Sequence, residues 1–137
     1  MYKRQEGDIV LIVDALWREK DPNPSSRTRD LVTCSEEFDS SYLGNEGVRL
    51  MNIAHDIPKN EIHGEWIGLA NFSDVGIQKL REEIQDFSKS GGLETASMPD
   101  LFGHILKSGS EIRVEYIAGH WLDVDNSADL SEAQKFP

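Results

Sequence analysis

Residues 8–14, Asp-Ile-Val-Leu-Ile-Val-Asp, constrain this chain more than any other segment. Five consecutive apolar residues, mostly β-branched, stand between two carboxylates with no polar–apolar alternation. Such a run predicts a strand buried on both faces, as in a sheet covered by helices above and below. Seven residues precede it. The sequence that follows must therefore supply both neighbouring strands and the covering helices, or part of the sheet is missing.

The rest of the chain offers the required elements. Residues 18–30 carry Pro and Ser clusters without periodicity and read as a loop. Leu31–Cys34 is a short strand candidate, and Val48–Ala54 is another after the turn Gly44-Asn45-Glu46-Gly47. His63–Phe72 reads as a strand with Gly64 and Gly68 inside it, which marks a bulge or a close backbone approach. Ser73 is placed to cap a helix whose stripe is Ile77, Leu80, Ile84 and Phe87, with Lys79, Arg81, Glu82 and Glu83 toward water. Pro99 suits the first turn of a second helix bearing Leu101, Phe102, Ile105 and Leu106. Ile112, Val114 and Tyr116 alternate with Glu111, Arg113 and Glu115, the pattern of an edge or half-buried strand. Asn126 or Ser127 opens a last short helix. The order β-β-β-β-α-α-β-α predicts an α/β sheet without internal repeats.

Charge narrows the function classes. Fourteen Lys and Arg against twenty-five Asp and Glu give a formal charge of −11. Such a surface repels phosphate backbones and anionic lipids, so nucleic-acid and membrane-surface binding are not expected. No apolar run reaches the ~20 residues of a spanning helix, and the first residues lack a secretory core. Cys34 is the one cysteine, which excludes an internal disulfide and a cysteine-only zinc site. A soluble, cytoplasmic globular protein is the expectation.

Open α/β sheets bind ligands beyond the carboxyl ends of their strands. Asp14 ends the first strand, and Asp123 and Asp125 lie after the last, beside Trp121. An oxygen-only donor set of this kind suits Mg²⁺, which keeps waters and takes phosphate oxygens; capping of the last helix by Asp125 is the structural alternative. His63, Glu65, His120 and Asp125 offer a metal-hydrolase reading, without the spacing of a helical His-Glu-x-x-His site. His104 and His55 read as structural or solvated. No nucleophile elbow, phosphate-binding glycine loop or dinucleotide fingerprint is present. Trp17, Trp66 and Trp121 read as core or pocket walls, and Arg27, Arg29 and Lys59 as solvated loop charges or acceptor neutralisers.

Three stretches taken together resemble one family: Asp8–Trp17, Gly64–Ser73 (Gly-Glu-Trp-Ile-Gly-Leu-Ala-Asn-Phe-Ser) and Gly119–Leu130 (Gly-His-Trp-Leu-Asp-Val-Asp-Asn-Ser-Ala-Asp-Leu). The chain resembles the C-terminal two-thirds of nucleotidyltransferases of the sugar-phosphate and phosphonate cytidylyltransferase kind. Within these it is most similar to the nucleotidyltransferase domain that accompanies phosphoenolpyruvate phosphomutase. The resemblance implies a Rossmann-like, glycosyltransferase-A type α/β/α sandwich, here partial, three-layered and with a mixed sheet. It implies transfer of a nucleotidyl, here cytidylyl, group from a nucleoside triphosphate to a phosphonate or phosphorylated small molecule, with release of pyrophosphate. Mg²⁺ is the implied cofactor, held by Asp125. Glu65 and Gly68 match the block that lines the acceptor pocket, with Trp121 and Asp123 beside it. The family's glycine-rich triphosphate loop and first metal aspartate are not found. Residues 1–137 are therefore expected to be one N-terminally truncated domain, inactive alone, with its first strand short of neighbours. Fusion to or association with an isomerase domain follows as a further expectation, and an uncovered sheet edge would favour self-association. The competing readings are a catalytically silent α/β interaction domain and the small metal hydrolase.

Overall fold

A computed structural model describes residues 8–19, 29–41, 44–91, 93–119 and 134. Its five strands are β1 (Ile9–Asp14), β2 (Leu31–Cys34), β3 (Leu50–Ala54), β4 (Gly64–Phe72) and β5 (Arg113–Ile117). Helices α1 (Asp74–Lys89) and α2 (Met98–Lys107) lie between β4 and β5 in the chain. The sheet is mixed, in the order β3-β2-β4-β1-β5. β1 pairs antiparallel with β4 and parallel with β5. The expected gap beside β1 is not there: β4 and β5, both later in the sequence, flank it. The last helix, expected from Asn126 or Ser127 onward, lies outside the described residues apart from Gln134.

β1 has both faces buried, as its unbroken apolar run requires. Ile9, Leu11 and Val13 enter the main core with Val114, Trp66, Leu101, Phe102 and Ile105. Val10 and Asp14, on the opposite face, are buried too. Both described helices pack on the first face, through Leu80, Ile84 and Phe87 of α1 and the buried residues of α2. Phe102 stands edge-on to Trp66, ring centroids 5.2 Å apart, so one aromatic pair joins α2 to β4.

The helix boundaries follow local chemistry. Ser73 Oγ accepts the Gly76 N–H at 3.0 Å and starts α1. At α2, Ser97 Oγ accepts from Asp100 N while Asp100 accepts from Ser97 N, a reciprocal box with Pro99 in the first turn. Ile77 departs from the expected stripe: it is 40% exposed. Gly76 takes the contact position instead, because α1 begins so close to β1 that a Cβ there would stand 1.9 Å from the Asp8 carbonyl oxygen.

The two glycines of β4 do different jobs. At Gly64 a Cβ would meet Val13 Cγ1 at 2.4 Å and the Asp14 carbonyl at 2.8 Å, so glycine lets β4 lie against β1. At Gly68 the backbone has φ +89° in open space. The pairing passes from Leu11–Ala70 to Val13–Trp66, leaving three β4 residues opposite Ile12. That is a bulge, and Trp66 Nε1 staples it by donating to the Leu69 carbonyl at 2.9 Å.

Two further expectations are corrected. The strand predicted from Val48 starts at Leu50, because the residues ahead of it turn to the far edge of the sheet. There Val114 N donates to Val48 O at 2.9 Å and Leu50 N to Ile112 O at 2.8 Å, which covers part of the β5 edge. Glu115, on the polar side of the alternation in a strand read as edge or half-buried, is buried. Alternation sends it away from the helices, but that face is buried as well.

Candidate functional site at the carboxyl ends of β1 and β5

β1 and β5 run parallel, so their carboxyl ends open at the same rim. Asp14 closes that rim. Its Oδ1 accepts the backbone N–H of Leu16 and of Gly119, each at 2.9 Å, and Ala15 N donates to Ile117 O at 2.8 Å. The two converging N–H groups give the fully buried carboxylate charge-assisted hydrogen bonds in place of water. The consequence is positional. Gly119, first residue of the Gly-His-Trp-Leu-Asp-Val-Asp stretch, is fastened at the exit of β1.

Glu65 lies directly across from Asp14 in the β1–β4 register. Two adjacent buried carboxylates call for a cation, and Arg29 contributes one. Its Nε and Nη2 donate to Glu65 Oε1 at 3.1 and 2.8 Å, with side chains only 8% and 5% exposed. Arg29 Nη2 also donates to the Trp17 carbonyl, and its guanidinium lies 5.5 Å from the Trp17 ring centroid. Arg29 is thus neither a solvated loop charge nor free to neutralise a ligand, contrary to the sequence reading. It is a buried brace that fixes the turn leaving β1.

Beside this brace lies an open pocket of about 330 Å³, lined by Ala15, Leu16, Trp17, Arg18, Glu37, Phe38, Ile62 and His63. Trp17, Phe38 and Ile62 give it apolar walls. Arg18, whose guanidinium lies 5.2 Å from the Trp17 ring centroid, gives it a cation. His63 Nδ1 accepts the Cys34 N–H at 2.8 Å, so in the neutral ring the proton sits on Nε2. A guanidinium and an imidazole N–H among apolar walls suit a small anion with an organic body, held away from the Glu37 carboxylate. Cys34 is not a nucleophile here: burial pushes its thiol up to about 11. Burial, and next Cys34 itself, likewise raises the Tyr116 phenol.

Of the residues singled out from sequence, Glu65 is braced by Arg29, and Gly68 lies in the β4 bulge, three residues along that strand. Neither lines the pocket. Trp121, Asp123 and Asp125 lie outside the described residues, as does His120. His63 lines the pocket but has no convergent metal-ligand partners: among the described residues the triplet with converging donor atoms is Glu83, Asp86 and His104, on the helices. Of the tryptophans, Trp66 is core and Trp17 a pocket wall. The sequence reading missed Arg18, Glu37 and Phe38 as pocket residues. The available signal was Arg18 directly after Trp17, four residues past the end of a strand whose carboxyl end faces a ligand rim.

The fold is α/β and Rossmann-like, with a five-stranded mixed sheet among the described residues. A solved structure with a similar fold is CMP:2-keto-3-deoxy-manno-octonic acid synthetase in complex with CTP, with a TM-score of 0.54 and 14% sequence identity. The similarity covers 93% of this chain and 48% of the synthetase, so the chain spans about half that protein's length. No protein-family model matches the sequence, and no curated protein matches it. Among the described residues no helix is long and apolar enough to cross a membrane.

Proposed function

We propose that this chain is the acceptor-side part of a nucleotidyltransferase that moves a cytidylyl group from CTP to a small phosphonate or phosphorylated acceptor. The observation that carries this reading is the Asp14–Gly119 bond, which starts the acidic tail at the rim of a pocket suited to an organic anion. The fold it shares with a CTP-complexed synthetase supports the same class. The acceptor oxygen attacks the α-phosphorus in line and pyrophosphate leaves. Arg18 and the His63 Nε2–H bind the anionic end of the acceptor, while Trp17 and Phe38 pack against its organic part. Arg29 and Glu65 do not touch substrate; they hold Trp17, and so set the pocket's width.

Mg²⁺ belongs to this reading as the cofactor, and donor chemistry supports its assignment to the acidic tail. Asp14 Oδ1 is engaged by two backbone N–H groups and Glu65 by Arg29, so neither reads as a primary ligand. Asp125, with Asp123 nearby in sequence, would supply oxygen ligands of the kind Mg²⁺ takes. When bound, the ion supplies charge neutralisation for the two anionic reactants.

The test is pyrophosphate release from each of the four nucleoside triphosphates against phosphonate, phosphocholine and sugar-phosphate acceptors, using the longest reading frame that contains this chain. Mg²⁺-dependent release with CTP is expected, abolished by Asp125→Ala with folding intact. Arg18→Ala is expected to raise the acceptor KM about 10-fold or more with a smaller effect on kcat, as loss of a charge-assisted contact predicts. Unchanged turnover in Asp125→Ala would reject the metal assignment. No release with any pair would favour the catalytically silent reading, as a domain associated with an isomerase.

A further inference from the structure

The helical face carries a polar cluster that the rim site does not use. Glu83 and Asp86 stand three residues apart in α1 and so share one side of the helix. His104 of α2 faces both: its Nε2 lies 3.0 Å from Asp86 Oδ2 and 3.4 Å from Glu83 Oε2. The ring is set by Phe87, whose centroid is 4.9 Å away in an edge-on contact. Glu83, expected from its helical position to face water, is instead turned onto α2, where the one Ser108 hydroxyl proton is shared between its Oε1 and the Ile105 carbonyl, each 2.8 Å away.

Hydrogen-bond accounting leaves this cluster one short. The imidazole Nε2 carries at most one proton, and at 3.0 Å it belongs to Asp86 Oδ2. Glu83 Oε2 is withdrawn from solvent and has no hydrogen-bond partner. A buried carboxylate oxygen without a hydrogen-bond donor is unfavourable, and the 3.4 Å ion pair that a protonated His104 would give it is too long to be a good hydrogen bond.

A divalent cation relieves it fully, since it takes lone pairs from Nε2, Oε2 and Oδ2 together and needs no proton. Donor atoms bound to one tetrahedral Zn²⁺ at about 2.0–2.1 Å stand about 3.3 Å from each other. The two distances to Nε2 already bracket that spacing, and all three donor atoms lie within 4.8 Å. Asp86, whose side chain is 66% exposed, is free to swing in and close the remaining gap. One imidazole with two carboxylates favours Zn²⁺ over the oxygen-preferring Mg²⁺ and Ca²⁺. The Ser108 hydroxyl orients the Glu83 carboxylate from behind, as hydrogen-bonded outer groups do at metal sites. We propose that Glu83, Asp86 and His104 form a Zn²⁺ site that clips α1 to α2, with its fourth position open to water.

The test uses the full chain stripped with chelator and titrated with ZnCl₂ by calorimetry, with thermal unfolding in parallel. One equivalent is expected to bind with a rise in Tm. His104→Ala and Glu83→Gln are each expected to weaken that binding by at least about 10-fold. Ser108→Ala, which touches no metal, is expected to weaken it about 10-fold through the lost outer hydrogen bond. Asp86→Asn alters an exposed side chain and reports on the site independently of helix packing. His63→Ala is expected to leave the affinity unchanged. Absence of a saturable equivalent, or an affinity unaltered in His104→Ala, Glu83→Gln and Asp86→Asn, overturns the proposal.

Discussion

The Arg29–Glu65 brace gives the most exposed test of the reasoning. Both side chains are more than nine-tenths buried, and two of the guanidinium's N–H groups converge on one carboxylate oxygen. Removing one member leaves the other charge buried without its partner, at a cost of about 3–5 kcal/mol. Removing both as Arg29→Met with Glu65→Leu replaces the pair by apolar groups of similar size, and such exchanges are often neutral or favourable. The expected pattern is therefore strongly non-additive: about 3 kcal/mol or more lost in each single variant, and about 1 kcal/mol or less in the double. Urea unfolding reads this directly, because at a slope of about 1–3 kcal/mol per molar a 3 kcal/mol loss moves the midpoint by about 1–3 M. Arg29→Met should fare worse than Glu65→Leu, since it also releases the Trp17 carbonyl. If each single variant costs under about 1 kcal/mol, or the double equals the sum of the singles, the brace is not what holds this end of the sheet.

Other outcomes follow from the same geometry. Gly68→Ala should cost about 1–3 kcal/mol, the strain of a left-handed residue with no clash, whereas Gly64→Ala should cost more because the new Cβ meets Val13 and the Asp14 backbone; paired denaturation midpoints distinguish them, and a reversed order contradicts the structure. The Asp100 carboxyl is held below its ordinary value of 3.8 by the Ser97 backbone N–H and then by the Ser97 hydroxyl. A depressed folded-state value means stability that is present above that ordinary value and lost as pH falls through the folded one. Thermal scans of wild type and Asp100→Ala should accordingly differ most above about pH 4 and converge in stronger acid. Cys34, buried and with its thiol raised to about 11, should resist a thiol reagent at pH 8 in the native protein and react at once in denaturant.

Much of the fold could be read along the chain because its signals are local. The unbroken Ile9–Val13 run implied burial on both faces. Ser73 and Pro99 marked helix starts by chemistry that acts within four residues. Gly64 and Gly68 were legible as a close approach and a bulge, though not which was which; that depends on what lies opposite each one in β1. Where the reading went wrong, a distant partner had overridden local periodicity. Ile77 yields its place to Gly76 because α1 starts against Asp8. Glu115 is buried although it lies on the polar side of its strand's alternation.

The site divides along the same line. Composition and pattern determined that this chain is an acidic α/β domain with carboxylates at its strand ends and glycines where strands crowd. Only the folded arrangement decided that Arg29 is spent on Glu65, thirty-six residues away, and that Trp17, Arg18, Phe38 and His63 meet in one pocket. Only it decided that Glu83 turns from solvent to His104. Periodicity reports which way a side chain faces, whereas charges and donors are matched by whatever lies across the gap, and that partner is chosen by the packing of the whole sheet.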